Sequence, residues 1–133
     1  MIDIKTIGVI GAGTMGSGIA SASAISGFKT VIYDVKHGLV SSSIEKIKAG
    51  YDKLLEKAKI DDKKRELASS NLAAAESLDE LSNCDCIIEA AIEDINLKKE
   101  LFQKVEKIAK AKTILATNTS SFSITAISTA LNA

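Results

Sequence analysis

Apolar positions along this chain alternate between two rhythms. Residues 5–10, KTIGVI, form a short apolar run bounded by glycine, which predicts a buried strand. Residues 14–27 are small and helix-compatible, and predict a helix that ends near Gly27. Residues 29–34, KTVIYD, are β-branched and aromatic, and predict a second strand. From 37 to 59 the apolar residues Val40, Ile44, Ile47, Tyr51, Leu54 and Ala58 recur in steps of four and three, the spacing of an amphipathic helix. Residues 61–70, DDKKRELASS, predict a solvated charged helix. Residues 72–76 predict a weak third strand, and 85–91, DCIIEAA, a stronger one. Residues 95–111 place Leu101, Phe102, Val105, Ile108 and Ala109 on one helical face. Residues 113–118, TILATN, predict another strand, with a helix from about Ser123.

Strands that alternate with helices imply an α/β fold with a mostly parallel sheet covered on both faces. A chain of 133 residues without repeats, low-complexity segments or linkers fits one domain, 1–133. Composition narrows the function. Lys+Arg and Asp+Glu are both 17, so no basic surplus points to nucleic acid or an anionic membrane surface. No apolar run approaches the ~20 residues of a membrane span. MIDIKT lacks a basic region followed by an apolar stretch, so no secretory signal is expected, and the cysteine usage makes the cytoplasm the expected location. Cys84 and Cys86, spaced C-x-C with one distant histidine, form no usual zinc set and read as two thiols in or beside a strand.

The chemistry begins at GAGTMGSGIA, residues 11–20, where four glycines fall at the predicted start of a helix. Glycine inside a helix costs about 1 kcal/mol relative to alanine, so the cluster needs a reason. Gly11, Gly13 and Gly16 form a G-x-G-x-x-G directly after a strand, and Asp34 ends the next strand about 20 residues on. That is the dinucleotide-binding fingerprint of a Rossmann-type, doubly wound sheet. Gly11 would allow the tight turn, Gly13 the close approach of a diphosphate, and Gly16 close packing of helix on strand. Gly18 would extend that packing. The helix start, with Thr14 and Met15, would offer backbone N–H groups to the phosphates, aided by the helix dipole. Asp34 would accept from ribose hydroxyls and repel a 2′-phosphate, which favours NAD over NADP. Lys36, two residues later, keeps NADP open, and a cap or turn role for Asp34 stays open too.

Fingerprints of this kind serve many reactions, so function must come from the rest of the site. GVIGAGTMGSGIA, the strand-ending Asp34, EAAIED followed by LKKELF, and ATNTSS, in that order, resemble the 3-hydroxyacyl-CoA dehydrogenase family, most nearly its short-chain bacterial 3-hydroxybutyryl-CoA dehydrogenases. The resemblance runs from about Ile7 to about Thr125. It implies an NAD-dependent exchange of 3-hydroxyacyl-CoA and 3-oxoacyl-CoA, such as acetoacetyl-CoA, in fatty-acid or butanoate metabolism. By the same match, Glu93 and Lys98 hold the nicotinamide-side ribose. Ser120 meets nicotinamide and substrate hydroxyl, Asn118 lines that pocket, and Lys57 contacts the CoA moiety. Phe122 stands where leucine is usual, a departure that could reshape the acyl pocket. Each residue also has a plain alternative: a solvated helix-start acid for Glu93, a surface lysine for Lys98 or Lys57, a serine near a helix N-terminus for Ser120.

In the family a histidine takes the hydroxyl proton and a glutamate orients it, both beyond the NTSS helix, and a helical C-terminal domain completes the cleft and the dimer. None of these is expected within residues 1–133. The one histidine, His37, falls at the start of the second helix and reads as an ordinary surface residue. The chain therefore reads as the sheet domain cut before its last strands, nearly inactive alone, and part of a homo-oligomer. Two other readings remain: a non-catalytic dinucleotide-binding module acting with a partner chain, and a 3-hydroxyisobutyrate-type dehydrogenase, which the NTSS segment disfavours.

Overall fold

The first apolar run becomes the central strand of the sheet. The structure, a computed structural model, describes residues 3–90 and 94–117. Its elements are β1 (Thr6–Ile10), α1 (Thr14–Ile25), β2 (Lys29–Tyr33), α2 (His37–Glu56), α3 (Asp62–Ser70), β3 (Leu72–Ala74), a 3₁₀ turn (Leu78–Leu81), β4 (Cys86–Glu89), α4 (Ile95–Ile108) and β5 (Ile114–Thr117). The helix expected from Ser123 lies outside the described residues. The five strands pair in parallel in the order β3-β2-β1-β4-β5. The order reverses at β1, so the connections leaving β1 and β4 diverge and open a crevice at the carboxyl edge of the sheet.

Two apolar clusters cover the sheet. One joins Val9 and Ile32 to Ala20 and Ala24 of α1, to Val40, Ile47 and Tyr51 of α2, and to Ala68 of α3. The other joins Ile10 and Ile87 to Leu81 of the 3₁₀ turn and Val105 of α4. Tyr51 is fully buried, and its hydroxyl donates to Ser21 O at 2.6 Å, which ties α2 to α1. The side-chain rhythm read for the second helix holds through Leu54 and fails at Ala58. The helix stops at Glu56, and Ala58 is exposed in the left-handed region at φ 56°, a conformation disfavoured by its Cβ.

The 3₁₀ turn was not expected, although its start carries a legible signal. Ser77 and Glu80 form a capping box, and Glu80 accepts from Ser77 N at 2.8 Å. Cys84 precedes β4 and Cys86 opens it. Cys84 belongs to the α4-side cluster and Cys86 packs on the other, so the two free thiols face opposite sides of the sheet. Burial, with the neighbouring Asp85 carboxylate, pushes the Cys84 thiol up to about 11, so it stays protonated at neutral pH. Among the described residues no helix is long and apolar enough to cross a membrane.

Asp85 staples the opposite, amino edge of the sheet. Its Oδ1 accepts from Lys110 Nζ at 2.8 Å, and its Oδ2 accepts from the backbone N–H of Lys5 at 2.9 Å and of Thr6 at 3.0 Å. The Lys110 ammonium first, then the two N–H donors, hold this carboxyl well below the usual carboxylate range. A depressed pKa adds stability that is complete above the unfolded-state value of about 3.9 and fades as the pH falls toward the folded value. D85N should therefore unfold at lower temperature than the wild type at pH 7, and the gap should narrow steadily below about pH 4. Thermal melts across that range check it.

Candidate functional site

The site grows out of one row of residues across the sheet. Register pairs Tyr33 of β2 with Ile10 of β1, Ile10 with Glu89 of β4, and Glu89 with Thr117 of β5. The residues that follow three of these, Asp34, Gly11 and Ala90, line a cleft of about 490 Å³. Gly13, Thr14 and Met15 from the start of α1 and Leu101 from α4 complete its mouth. The cleft therefore sits at the crevice the strand order creates.

The glycines divide by physical role. Gly11 adopts φ 114°, a turn that a side chain resists, and its N–H donates to Tyr33 O at 2.7 Å. A Cβ on Gly16 would lie 1.8 Å from Gly11 O, so α1 can start this close to β1 only without one. Gly13 is exposed at the N-cap, and a Cβ there would meet nothing within 4 Å. The protein itself gives no reason for that glycine; a ligand at the cleft does. Gly18 corrects the expectation of close packing. A Cβ on it would also meet nothing within 4 Å, because two residues past Gly16 is about 200° around the helix and faces outward.

The start of α1 is open to an anion. No side chain caps it and its first turn holds no acidic residue, whereas α3 and α4 are capped by Asp61 and Asp94. Thr14 and Met15 are exposed on the cleft. The Asp34 carboxylate faces the same space and is already bonded to backbone. Its Oδ2 accepts from Ala12 N and its Oδ1 from Lys36 N, both at 2.9 Å. The turn role left open for Asp34 is thus present, and it coexists with exposure to the cleft. An open glycine cradle, an uncapped helix start and a carboxylate one strand away together fit a dinucleotide diphosphate and its adjoining ribose.

Lys98 is not a surface lysine. It is 1% exposed and its Nζ donates to Glu89 Oε1 at 2.5 Å, which also accepts from Thr117 Oγ1 at 2.8 Å. Glu89 is 0% exposed. The pair lies just beneath the cleft, whose wall includes Ala90, next to Glu89, and Leu101, one turn beyond Lys98. Sequence reasoning passed over Glu89. The available signal was an acid inside the apolar strand CIIEAA, where an unpaired carboxylate would be costly to bury. Glu93, Asn118, Ser120 and Phe122 lie outside the described residues. Lys57 is exposed at the C-cap of α2, separated from the Asp34 end by a 20-residue helix, about 30 Å of axial rise. The structure does not bring it to this cleft. His37 is exposed at the first position of α2, as an ordinary surface residue would be.

Comparison with known proteins matches this arrangement. Residues 6–133 match the family described as 3-hydroxyacyl-CoA dehydrogenase, NAD binding domain. A 3-hydroxybutyryl-CoA dehydrogenase of Bradyrhizobium diazoefficiens is 38% identical over 127 residues, covering 96% of this chain and 43% of that protein. A probable 3-hydroxybutyryl-CoA dehydrogenase of Deinococcus radiodurans is 40% identical over 123 residues, 92% of this chain and 44% of that protein. The crystal structure of (S)-3-hydroxybutyryl-CoA dehydrogenase from Ralstonia eutropha superposes with a TM-score of 0.92 at 34% identity, covering 98% of this chain and 46% of that one. The chain thus spans less than half the length of these relatives.

Two stability outcomes follow. G16A should lose about 1–3 kcal/mol, since both atoms in its way are backbone, while G18A should be neutral or gain up to about 1 kcal/mol. E89Q strands the Lys98 ammonium in the interior and should cost about 3–5 kcal/mol, most of it recovered in the double variant E89M/K98M. Urea unfolding of the purified variants measures all four.

Proposed function

Because the chain belongs to the 3-hydroxyacyl-CoA dehydrogenase family, as its NAD-binding domain, we propose that it is the cofactor-holding part of an enzyme that oxidises a 3-hydroxyacyl-CoA to the 3-oxoacyl-CoA, or runs the reverse reduction on a substrate such as acetoacetyl-CoA. The observation that carries this reading is Gly13: an open, exposed glycine at an uncapped helix start, beside a carboxylate, in the cleft at the strand-order reversal. When bound, NAD supplies the hydride acceptor. The residues of this chain bind and orient it. The amides from Gly13 to Met15 face the diphosphate, and Asp34 accepts from the adenosine ribose. That carboxylate disfavours a 2′-phosphate. The family match assigns Glu93 and Lys98 to the nicotinamide-side ribose; Lys98 is buried against Glu89 and does not itself line the cleft. Asn118 and Ser120 meet the nicotinamide and the substrate hydroxyl.

Those last roles rest on the family match, as does a CoA contact at Lys57. The proton-accepting histidine and its glutamate belong to sequence outside these 133 residues, in this reading, together with a helical domain and a homo-oligomer interface. The only histidine here, His37, lies next to the Asp34 end of the cleft. General-base catalysis contributes about 10²–10⁴-fold in rate, so the 133-residue chain alone should not turn over acetoacetyl-CoA measurably. A cytoplasmic location is part of the reading.

Calorimetry with NAD and NADP tests the proposal. The wild type should bind NAD more tightly than NADP. G13A should keep its melting behaviour within about 0.5 kcal/mol yet bind NAD about tenfold or more weakly, because its new Cβ occupies the diphosphate's approach. Absence of binding heat with NAD, or equal NAD affinity in G13A, would remove the reading.

A further inference from the structure

We propose that Asp34 is a positioning residue for the diphosphate-binding turn as well as a ribose acceptor, so that one carboxylate sets both sugar recognition and phosphate-cradle geometry. The proposal rests on the functional reading above. Two consecutive amides of the turn are tied to the end of β2. Gly11 N donates to Tyr33 O at 2.7 Å, a main-chain bond that no substitution at position 34 removes. Ala12 N donates to Asp34 Oδ2 at 2.9 Å, a bond that exists only through the side chain. Ala12 is 3% exposed in the intact protein, so its N–H depends on that carboxylate for an acceptor. The other oxygen, Oδ1, accepts from Lys36 N at 2.9 Å and fixes the carboxylate from the opposite side.

This geometry explains why an ionised aspartate suits the position. Each carboxylate oxygen has two lone-pair sites, so each can hold a backbone N–H and still accept from a ribose hydroxyl. Asparagine offers one acceptor oxygen and must turn its NH₂ toward one of the two amides. Alanine or serine leaves the Ala12 N–H buried without its acceptor, at the point where the chain leaves Gly11 at φ 114° and heads for Gly13. The turn then relaxes, and the amides beyond it lose their aim. Replacing Asp34 to admit a 2′-phosphate would therefore weaken the grip on the diphosphate itself.

The test uses 2′,3′-dideoxyadenosine 5′-diphosphate, which keeps adenine and diphosphate but has no ribose hydroxyl for Asp34 to accept from. Calorimetry should show D34A binding this probe about tenfold more weakly than the wild type, with D34N between them. A purely ribose-binding Asp34 predicts equal affinity of wild type and D34A for the probe, alongside a loss for ADP, and that result overturns the proposal. Amide hydrogen exchange gives a readout that needs no ligand. The Ala12 amide should exchange slowly in the wild type and fast in D34A, while the Gly11 amide stays protected; unchanged Ala12 exchange also overturns it. Val9 and Ile32 amides, in the sheet core, report that each variant is folded, and D34N serves if D34A is not. If the wild type takes neither ADP nor NAD, the functional reading falls, and Ala12 exchange still decides the positioning role.

Discussion

The distance between the start of α1 and the end of β1 governs the ligand-facing edge of this protein. A hypothetical Cβ on Gly16 lies 1.8 Å from the Gly11 carbonyl oxygen, so the helix begins as near the strand as backbone atoms permit. That approach aims the first N–H groups of α1 into the crevice beside β4. The positive φ of Gly11 makes the turn possible, and the Tyr33 carbonyl and Asp34 carboxylate hold it from β2. A wider turn would still give a helix packed on a sheet, but its dipole would point past the cleft.

A second constraint lies one layer deeper. Glu89 and Lys98 bury opposite charges where the row Tyr33–Ile10–Glu89–Thr117 meets α4. Taking both ions from water is expensive, and such pairs rarely outperform apolar packing as a source of stability. Here the pair joins three elements, because Glu89 sits on β4, Lys98 on α4 and Thr117 on β5. Ala90, just after β4, and Leu101 of α4 line the cleft opposite the glycine turn. A charge-assisted bond there ties α4 to the sheet.

The two edges of the sheet divide the work. At the amino edge, Asp85 gathers Lys110 and the amides of Lys5 and Thr6, and pins the start of β1 to the β4 and β5 side. At the carboxyl edge, Asp34 makes a comparable set of backbone bonds and also lines the cleft. The same chemistry, a carboxylate accepting from main-chain N–H groups, lies away from the cleft at one edge and borders it at the other. The difference is the crevice, which exists only where the strand order reverses.

Much of this was legible in the residues. Apolar runs predict the described strands, and helical spacing such as that of Val40, Ile44, Ile47, Tyr51 and Leu54 predicts α2 and α4, since those periods are properties of local backbone geometry; α1 and α3 were legible only as a small-residue and a charged stretch. The fingerprint from Gly11 to Gly16, and Asp34 after it, are local in the same sense, and they determined the fold and the dinucleotide chemistry together. Tertiary structure alone decided the rest. Lys98 reads like any helix lysine until β4 brings Glu89 beneath it. Asp34 reads as a ribose acceptor until the β1–β2 register sets Ala12 N against its side chain, 22 positions away. Gly18 looks like part of the fingerprint until its face of α1 proves to be the outer one. Ala58 continues the apolar spacing although the helix has already ended. Periodicity reports which face a residue shares with its near neighbours, whereas burial of a charge and the partner that offsets it depend on which distant strand lies alongside.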